Sequence, residues 1–193
     1  MLNVGLTGGL ATGKSSVGRT LAGLGCYLIK YDEIGHQVIE PGGEAHDAVL
    51  SEFGTVDRRL LGARVFADPA LLARLNALVH PPARARARAL AEAFWREHPD
   101  GIAVTEAAIL IETGSYKDYD KLIVAVCRPE QQVERAMARD GLSRTEVLDR
   151  LSRQMPIEDK VKYADYVIDT SGTKERTLEQ TQSVYNALRS MIR

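Results

Sequence analysis

The sequence predicts an α/β fold: five parallel strands, helices on both faces of the sheet, and a helical lobe inserted after the second strand. Three observations predict it. Short apolar runs alternate with stretches of helical periodicity. Those runs are apolar throughout rather than alternating, as expected of strands buried on both faces. One long interval, residues 31–101, breaks the alternation with helical patterns alone.

The elements follow in order. Asn3–Leu6 is a short apolar run ahead of glycines and reads as a buried strand. From Lys14 to Leu24, Val17, Leu21, Ala22 and Leu24 recur at helical spacing, and Gly25 stops the helix. Cys26–Lys30 is the second strand, Gly101–Ala107 the third, Lys121–Cys127 the fourth and Tyr166–Thr170 the fifth. Between the second and third, helices are expected over 32–39, 44–53, 58–66, 70–79 and 83–96. Further helices are expected over 130–139 and 173–192. The inserted lobe would stand above the carboxyl ends of the strands, where open parallel sheets bind ligands. No linker or repeat separates it, so 1–193 reads as one domain with a subdomain at 31–101.

Bulk properties narrow the function. The chain has 193 residues, 45% of them hydrophobic, enough for a full core. A formal net charge of −1 weighs against a partner held mainly through nucleic-acid phosphates. Cys26 and Cys127 sit in apolar runs without metal-ligand spacing, and read as reduced core residues of a cytoplasmic protein. The N-terminal residues lack the pattern of a signal peptide, and no apolar run is long enough to span a membrane.

The stretch Val4–Val17, VGLTGGLATGKSSV, matches G-x-x-x-x-G-K-[ST] at Gly8, Gly13, Lys14 and Ser15. A strand before it and a helix after it are the context that motif requires. Glycines permit positive φ, so the backbone N–H groups of Gly9, Ala11, Thr12, Gly13 and Ser16 can turn toward one anion. The helix N-terminus adds its positive dipole end. Lys14 is expected to reach the β- and γ-phosphates of a nucleoside triphosphate, and Ser15 to place its hydroxyl on Mg²⁺.

Phosphate binding does not choose among kinases, switches and motors. Asp32 lies just past the second strand, where a carboxylate would accept a proton from an attacking hydroxyl. Equally, Asp32 opens an apolar helical pattern and would serve as its N-cap. Residues 128–155 carry six arginines, with Arg135 and Arg139 four apart on one helix face, and form two helices joined by Asp140–Ser143, with Ser143 and Glu146 forming a capping box. Such a pair could fold over ATP as a lid, with Arg139 at the turn neutralising the transferring group. The other arginines read as a solvated surface. Arg84, Arg86 and Arg88 read mainly the same way, and His80 ahead of two prolines as a helix boundary. Glu106 and Glu112 flank the end of the third strand, and either would help Mg²⁺ through water. No N-K-x-D string occurs, which weighs against a GTPase.

The strings GLTGGLATGKSSV, YDEIGHQVIEPGG, LVHP, AILIETG, ARDGLSRTEVLDRLSRQM and YADYVIDTSG, in this order, resemble the dephospho-CoA kinase family. The resemblance spans nearly the whole chain. It implies a P-loop kinase core of five parallel strands, a helical CoA-binding lobe and a helical lid. It implies transfer of the ATP γ-phosphoryl to the ribose 3′-hydroxyl of dephospho-CoA, the last step of coenzyme A synthesis. It also implies that Asp32 is the catalytic aspartate, that Ala11–Ser16 bind ATP, that His80 lies in the substrate lobe and that Arg139 stands at the base of the lid. Three departures stand out: Lys30 replaces the first carboxylate of an Asp-x-Asp pair, Thr170 replaces a common asparagine at the adenine side, and the chain is short between Gly54 and Val56. A nucleotide-dependent regulatory switch without a small acceptor is the alternative.

Overall fold

The computed structural model describes residues 1–65 and 68–192. Its sheet has five strands in the order β2-β3-β1-β4-β5: β1 (Leu2–Gly8), β2 (Tyr27–Lys30), β3 (Ile102–Glu106), β4 (Lys121–Val126) and β5 (Tyr166–Asp169). β1 pairs in parallel with β3 and β4, and β4 with β5, with Leu6 opposite Glu106, Gly8 opposite Ala125 and Val126 opposite Asp169. Every residue of β3 is buried, which explains why its sequence does not alternate. The predicted strands hold to within two residues at each end.

The chain divides into two compact units, Met1–Ile29 with Ala93–Arg193, and Lys30–Glu92. In the first, α1 (Lys14–Gly23) and α9 (Lys174–Ser190) pack on the sheet. Val17, Leu21 and Leu188 are fully buried there against Leu6, Ile123 and Ile168. Each such side chain contributes roughly 1.5–3 kcal/mol. α6 (Pro129–Asp140) and α7 (Arg144–Ser152) form a separate small core around Val133, Ala136 and Val147. Leu10 and Ala11 of the glycine loop pack into it. The capping box of α7 is present, Ser143 N–H and hydroxyl donating to Glu146 at 2.8 and 2.6 Å. The sequence reading missed α8 (Ile157–Val161), too short to show a period, and a single 3-10 turn at Ser115–Asp118.

The second unit holds α2 (Tyr31–Gln37), α3 (His46–Phe53), α4 (Arg58–Val65) and most of α5 (Pro69–Glu97). Phe66, the expected end of α4, lies outside the described residues. The two helices expected over 70–79 and 83–96 are one, so His80 is not a helix boundary. α5 runs through Pro81 and Pro82. Each proline forfeits one backbone hydrogen bond. Ala83, Ala87 and Ala91, four apart, are buried on one face and keep the helix in register beyond the prolines. Among the described residues, no helix is long and apolar enough to cross a membrane.

β1 and β3 are neighbours whose following connections leave in opposite directions across the sheet. That is the switch point at which open parallel sheets form a crevice. The glycine loop follows β1, and Glu106 ends β3. Topology therefore brings together two segments far apart in the chain.

Candidate active site

The glycine loop spans the end of β1 and the start of α1. A Cβ on Gly8 would lie 2.5 Å from Ala125 O and 2.5 Å from Thr12 Oγ1, so only glycine fits. Gly13, the N-cap of α1, has φ 80, and no side chain caps the helix. Ala11 has φ 55, the one positive value at a non-glycine among the described residues. Left-handed backbone costs alanine about 1 kcal/mol. Left-handed residues at 11 and 13 turn successive N–H groups toward a common side, the geometry of an anion nest. At the start of α1 the N–H groups of Lys14 and Ser15 lie ahead of the first helical bonds, in which Ser16 and Val17 N–H donate to Gly13 O at 2.9 and 3.2 Å. Buried Thr12 holds the loop from inside, its hydroxyl donating to Gly9 O at 3.0 Å.

A cavity of about 460 Å³ opens on the loop, lined by Ala11, Thr12, Gly13, Lys14, Ser15 and Ser16 together with Arg19, Arg135 and Arg139. Its wall carries four cations and no carboxylate, so it attracts a polyanion. Of the predicted residues, Ala11–Ser16 and Arg139 meet at this cavity. Gly8 and Gly9 belong to the loop but are not among the lining residues. Arg19 was missed by the sequence reading, although it stands four residues after Ser15 and so shares its helix face. Arg135, noted only as lying on one face with Arg139, lines the cavity beside it.

An acid approaches the motif from β3. Ser15 Oγ donates to Glu106 Oε1 at 2.6 Å, and Lys14 Nζ lies 3.7 Å from the same oxygen. The side chains of Lys14 and Glu106 are 13% and 9% exposed, so their attraction is little screened. Glu106 Oε2 is buried with no hydrogen-bond partner among the described residues. A serine hydroxyl and an under-satisfied carboxylate are hard oxygen donors of the kind Mg²⁺ takes when phosphates supply the rest. Among the described residues no cluster of three or more His, Cys, Asp or Glu forms a cage of its own. The sequence left Glu106 and Glu112 as equals; the structure separates them. Glu112 pairs instead with Lys160, Oε1 to Nζ 2.8 Å.

Thr170 braces the opposite side of the loop. Its hydroxyl donates to Thr12 O at 2.8 Å and accepts from Arg135 Nη1 at 3.0 Å. Arg135 Nη2 donates to Thr170 O at 2.8 Å. Two bonds fix the guanidinium plane at the cavity wall. Arg139 is held differently, by a bidentate pair with its neighbour Asp140 at 2.7 and 2.9 Å. Arg139, and Arg150 3.8 Å away, hold the Asp140 carboxyl below the usual carboxylate range.

Asp32 and His80 lie in the second unit. The N-cap of α2 is Lys30, without a side-chain cap bond, and Asp32 is the second residue of the helix. Asp32 is therefore not the cap. It is exposed in the first turn, beside Glu33, where the helix dipole favours carboxylates. Lys30, standing where a first carboxylate was expected, pairs with Glu33 at 2.8 Å. Tyr31, next to Asp32, stacks on His80 with ring centroids 6.3 Å apart, and its hydroxyl lies 3.4 Å from His80 Nδ1. Burial, and then the Arg84 cation, hold the His80 pKa below its ordinary value. His80 Nε2 is buried without a partner among the described residues. Arg86 pairs with Glu44 at 2.8 Å, in keeping with an ordinary surface role.

Comparisons with known proteins agree. The family model described as dephospho-CoA kinase matches residues 2–175. The dephospho-CoA kinase of Geobacter sulfurreducens is 40% identical over 190 residues, covering 94% of this chain and 96% of its own. That of Syntrophus aciditrophicus is 38% identical, covering 97% and 83%. Among solved structures, TT1252 from Thermus thermophilus superposes with a TM-score of 0.82 at 34% identity, covering 96% of each chain. The dephospho-CoA kinase from Campylobacter jejuni gives 0.70 at 25%, covering 98% of each. With the phosphate cradle, the acid beside it and full-length likeness in hand, the alternative of a regulatory switch gives way: the chain belongs to the dephospho-CoA kinase family.

Proposed function

We propose that this chain transfers the γ-phosphoryl group of ATP to the ribose 3′-hydroxyl of dephospho-CoA, giving coenzyme A and ADP, with the following residues in the following roles. The backbone from Ala11 to Ser16 takes the phosphates. Lys14 and Arg139 neutralise the charge that spreads over the transferring group. Arg19 and Arg135 extend the same field. Residues 128–155 act as the lid. Ser15 would hold Mg²⁺, with Glu106 orienting the serine and accepting from metal-bound water. Bound there, Mg²⁺ would neutralise β- and γ-phosphate oxygens.

Asp32 accepts the proton of the attacking hydroxyl, and residues 31–101, with His80, receive the acceptor. Asp32 is an exposed carboxylate in the first turn of α2, and the N-cap of that helix is Lys30. The two free cysteines support a reducing, cytoplasmic setting.

The observation that carries the reading is the four-cation cavity on an uncapped helix start, with a buried carboxylate 2.6 Å from Ser15 Oγ. The test is a coupled ADP-release assay on the purified protein with dephospho-CoA and, separately, nucleoside monophosphates. Turnover is expected with dephospho-CoA. Equal or faster turnover of a monophosphate overturns the acceptor assignment.

A further inference from the structure

Lys160 has the largest fully buried side chain among the described residues, at 0% exposure. It lies in α8, outside the cavity wall. An ammonium sealed from water persists only where its N–H groups find acceptors. Three are present: Glu112 Oε1 at 2.8 Å, Ala108 O at 2.9 Å and Gly8 O at 3.5 Å. Gly8 opens the glycine loop. Ala108 and Glu112 follow Glu106 in the segment leaving β3. The Thr7 hydroxyl also donates to Ala108 O, at 3.2 Å.

The chain just before α8 adds two links. Met155 N–H donates to the same Glu112 oxygen at 3.2 Å, and Leu10 N–H donates to Gln154 Oε1 at 2.9 Å. One short segment thus grips both the glycine loop and the segment after Glu106. Filling the space does not require a charge, because a buried ion pair is often no more stabilising than apolar residues of equal volume. What the ammonium adds is direction: it fixes where two carbonyls point and how far apart they sit.

We propose that Lys160 is a positioning residue for phosphoryl transfer: its buried ammonium, oriented by Glu112, holds the Gly8 and Ala108 carbonyls together and so sets the spacing between the phosphate loop and Glu106. Gln154 extends the same grip to Leu10. The inference rests on the reading of the cavity as the ATP phosphate site. A misplacement of about 1 Å at such a site costs on the order of a hundredfold in rate, so the loss belongs in kcat.

The test measures kcat, the KM for ATP and melting temperature for Lys160→Met, Glu112→Gln, Gln154→Ala and, as a stability control in the core of α9, Val184→Ala. All are assayed well below their melting temperatures. Lys160→Met is expected to lower kcat about a hundredfold and Glu112→Gln about tenfold, with the KM for ATP changed by less than about threefold. Val184→Ala should lower the melting temperature and leave kcat within about twofold. Values of kcat for Lys160→Met and Glu112→Gln as high as the control's overturn the proposal, as does an effect confined to the KM. Should Lys160→Met fail to fold, Glu112→Gln and Gln154→Ala decide. Loss of kcat at unchanged melting temperature supports the proposal, and wild-type kcat in both overturns it. Lys14→Ala, run alongside, separates the two readings, because unchanged kcat there unseats the ATP site itself.

Discussion

Ser15 Oγ and Glu106 Oε1 stand 2.6 Å apart, joining the first turn of α1 to the last residue of β3. The contact sets two hard oxygen donors side by side at the glycine loop, as the Mg²⁺ site proposed above requires. The carboxylate holds the serine hydroxyl in one orientation, and its second oxygen has no partner among the described residues.

Replacing Glu106 with glutamine keeps the size and one acceptor oxygen but removes the charge. Groups that orient a metal ligand are typically worth 10–100-fold in metal affinity or activity. Glu106→Gln is therefore expected to raise the Mg²⁺ concentration for half-maximal rate by roughly tenfold or more. A Mg²⁺ titration at saturating ATP checks this, and an unchanged midpoint would remove Glu106 from the cation site.

Asp32→Asn removes the proposed proton acceptor without altering its shape. General-base catalysis is worth typically 10²–10⁴-fold, so kcat is expected to fall about a hundredfold or more. ATP affinity, measured by calorimetry, should stay near that of the wild type. A near-normal kcat would leave Asp32 with only its favourable place at the start of α2.

Thr170→Val is nearly isosteric but deletes the hydroxyl that links Thr12 O to Arg135. Thr170 is only 5% exposed, so Thr12 O would lose its partner in a place poor in water. Such a loss costs about 1–3 kcal/mol. The melting temperature should drop and the KM for ATP rise severalfold. Thermal unfolding and initial-rate kinetics measure the two effects.

His80 and His36 are both held below the ordinary histidine pKa, chiefly by burial. In the window below about 6.5 the unfolded chain binds protons that the folded chain does not yet accept. Their contribution to stability is complete above that value and is lost as pH falls toward the folded values. Urea midpoints should decline between about pH 7.5 and about pH 5.5. His80→Gln should make that decline shallower; an equally steep decline would assign the effect elsewhere.

Burial pushes the Cys26 thiol up to about 12, and Cys127 is raised for the same reason. The thiolate is the reactive form. Native protein near neutral pH should therefore react with a thiol reagent far more slowly than protein unfolded in guanidinium. Rapid labelling of both thiols without denaturant would contradict the buried placement.

Much of this was legible in the sequence because the signals are local. The glycine spacing, the capping box at Ser143 and Glu146, the apolar runs of the five strands and the shared helix face of Arg135 and Arg139 each depend on neighbours within about one or two helical turns. Proline at 81 and 82 is local too, and there it misled. The buried Ala83, Ala87 and Ala91 stripe outweighed two lost backbone bonds, so tertiary burial overrode local propensity.

The sequence by itself determined the fold class and, of the cavity wall, the glycine loop Ala11–Ser16 and Arg139, because backbone conformation and helix facing follow from residues close in the chain; Arg19 and Arg135 joined that wall only in the structure. Only the tertiary structure decided which acid serves that loop, and that a lysine lies sealed against it. Glu106 is 91 residues from Ser15 and Lys160 is 152 from Gly8, and no periodicity reaches so far. Those meetings are set by the strand order, which places β3 beside β1, and by the cost of burying an ammonium away from any acceptor.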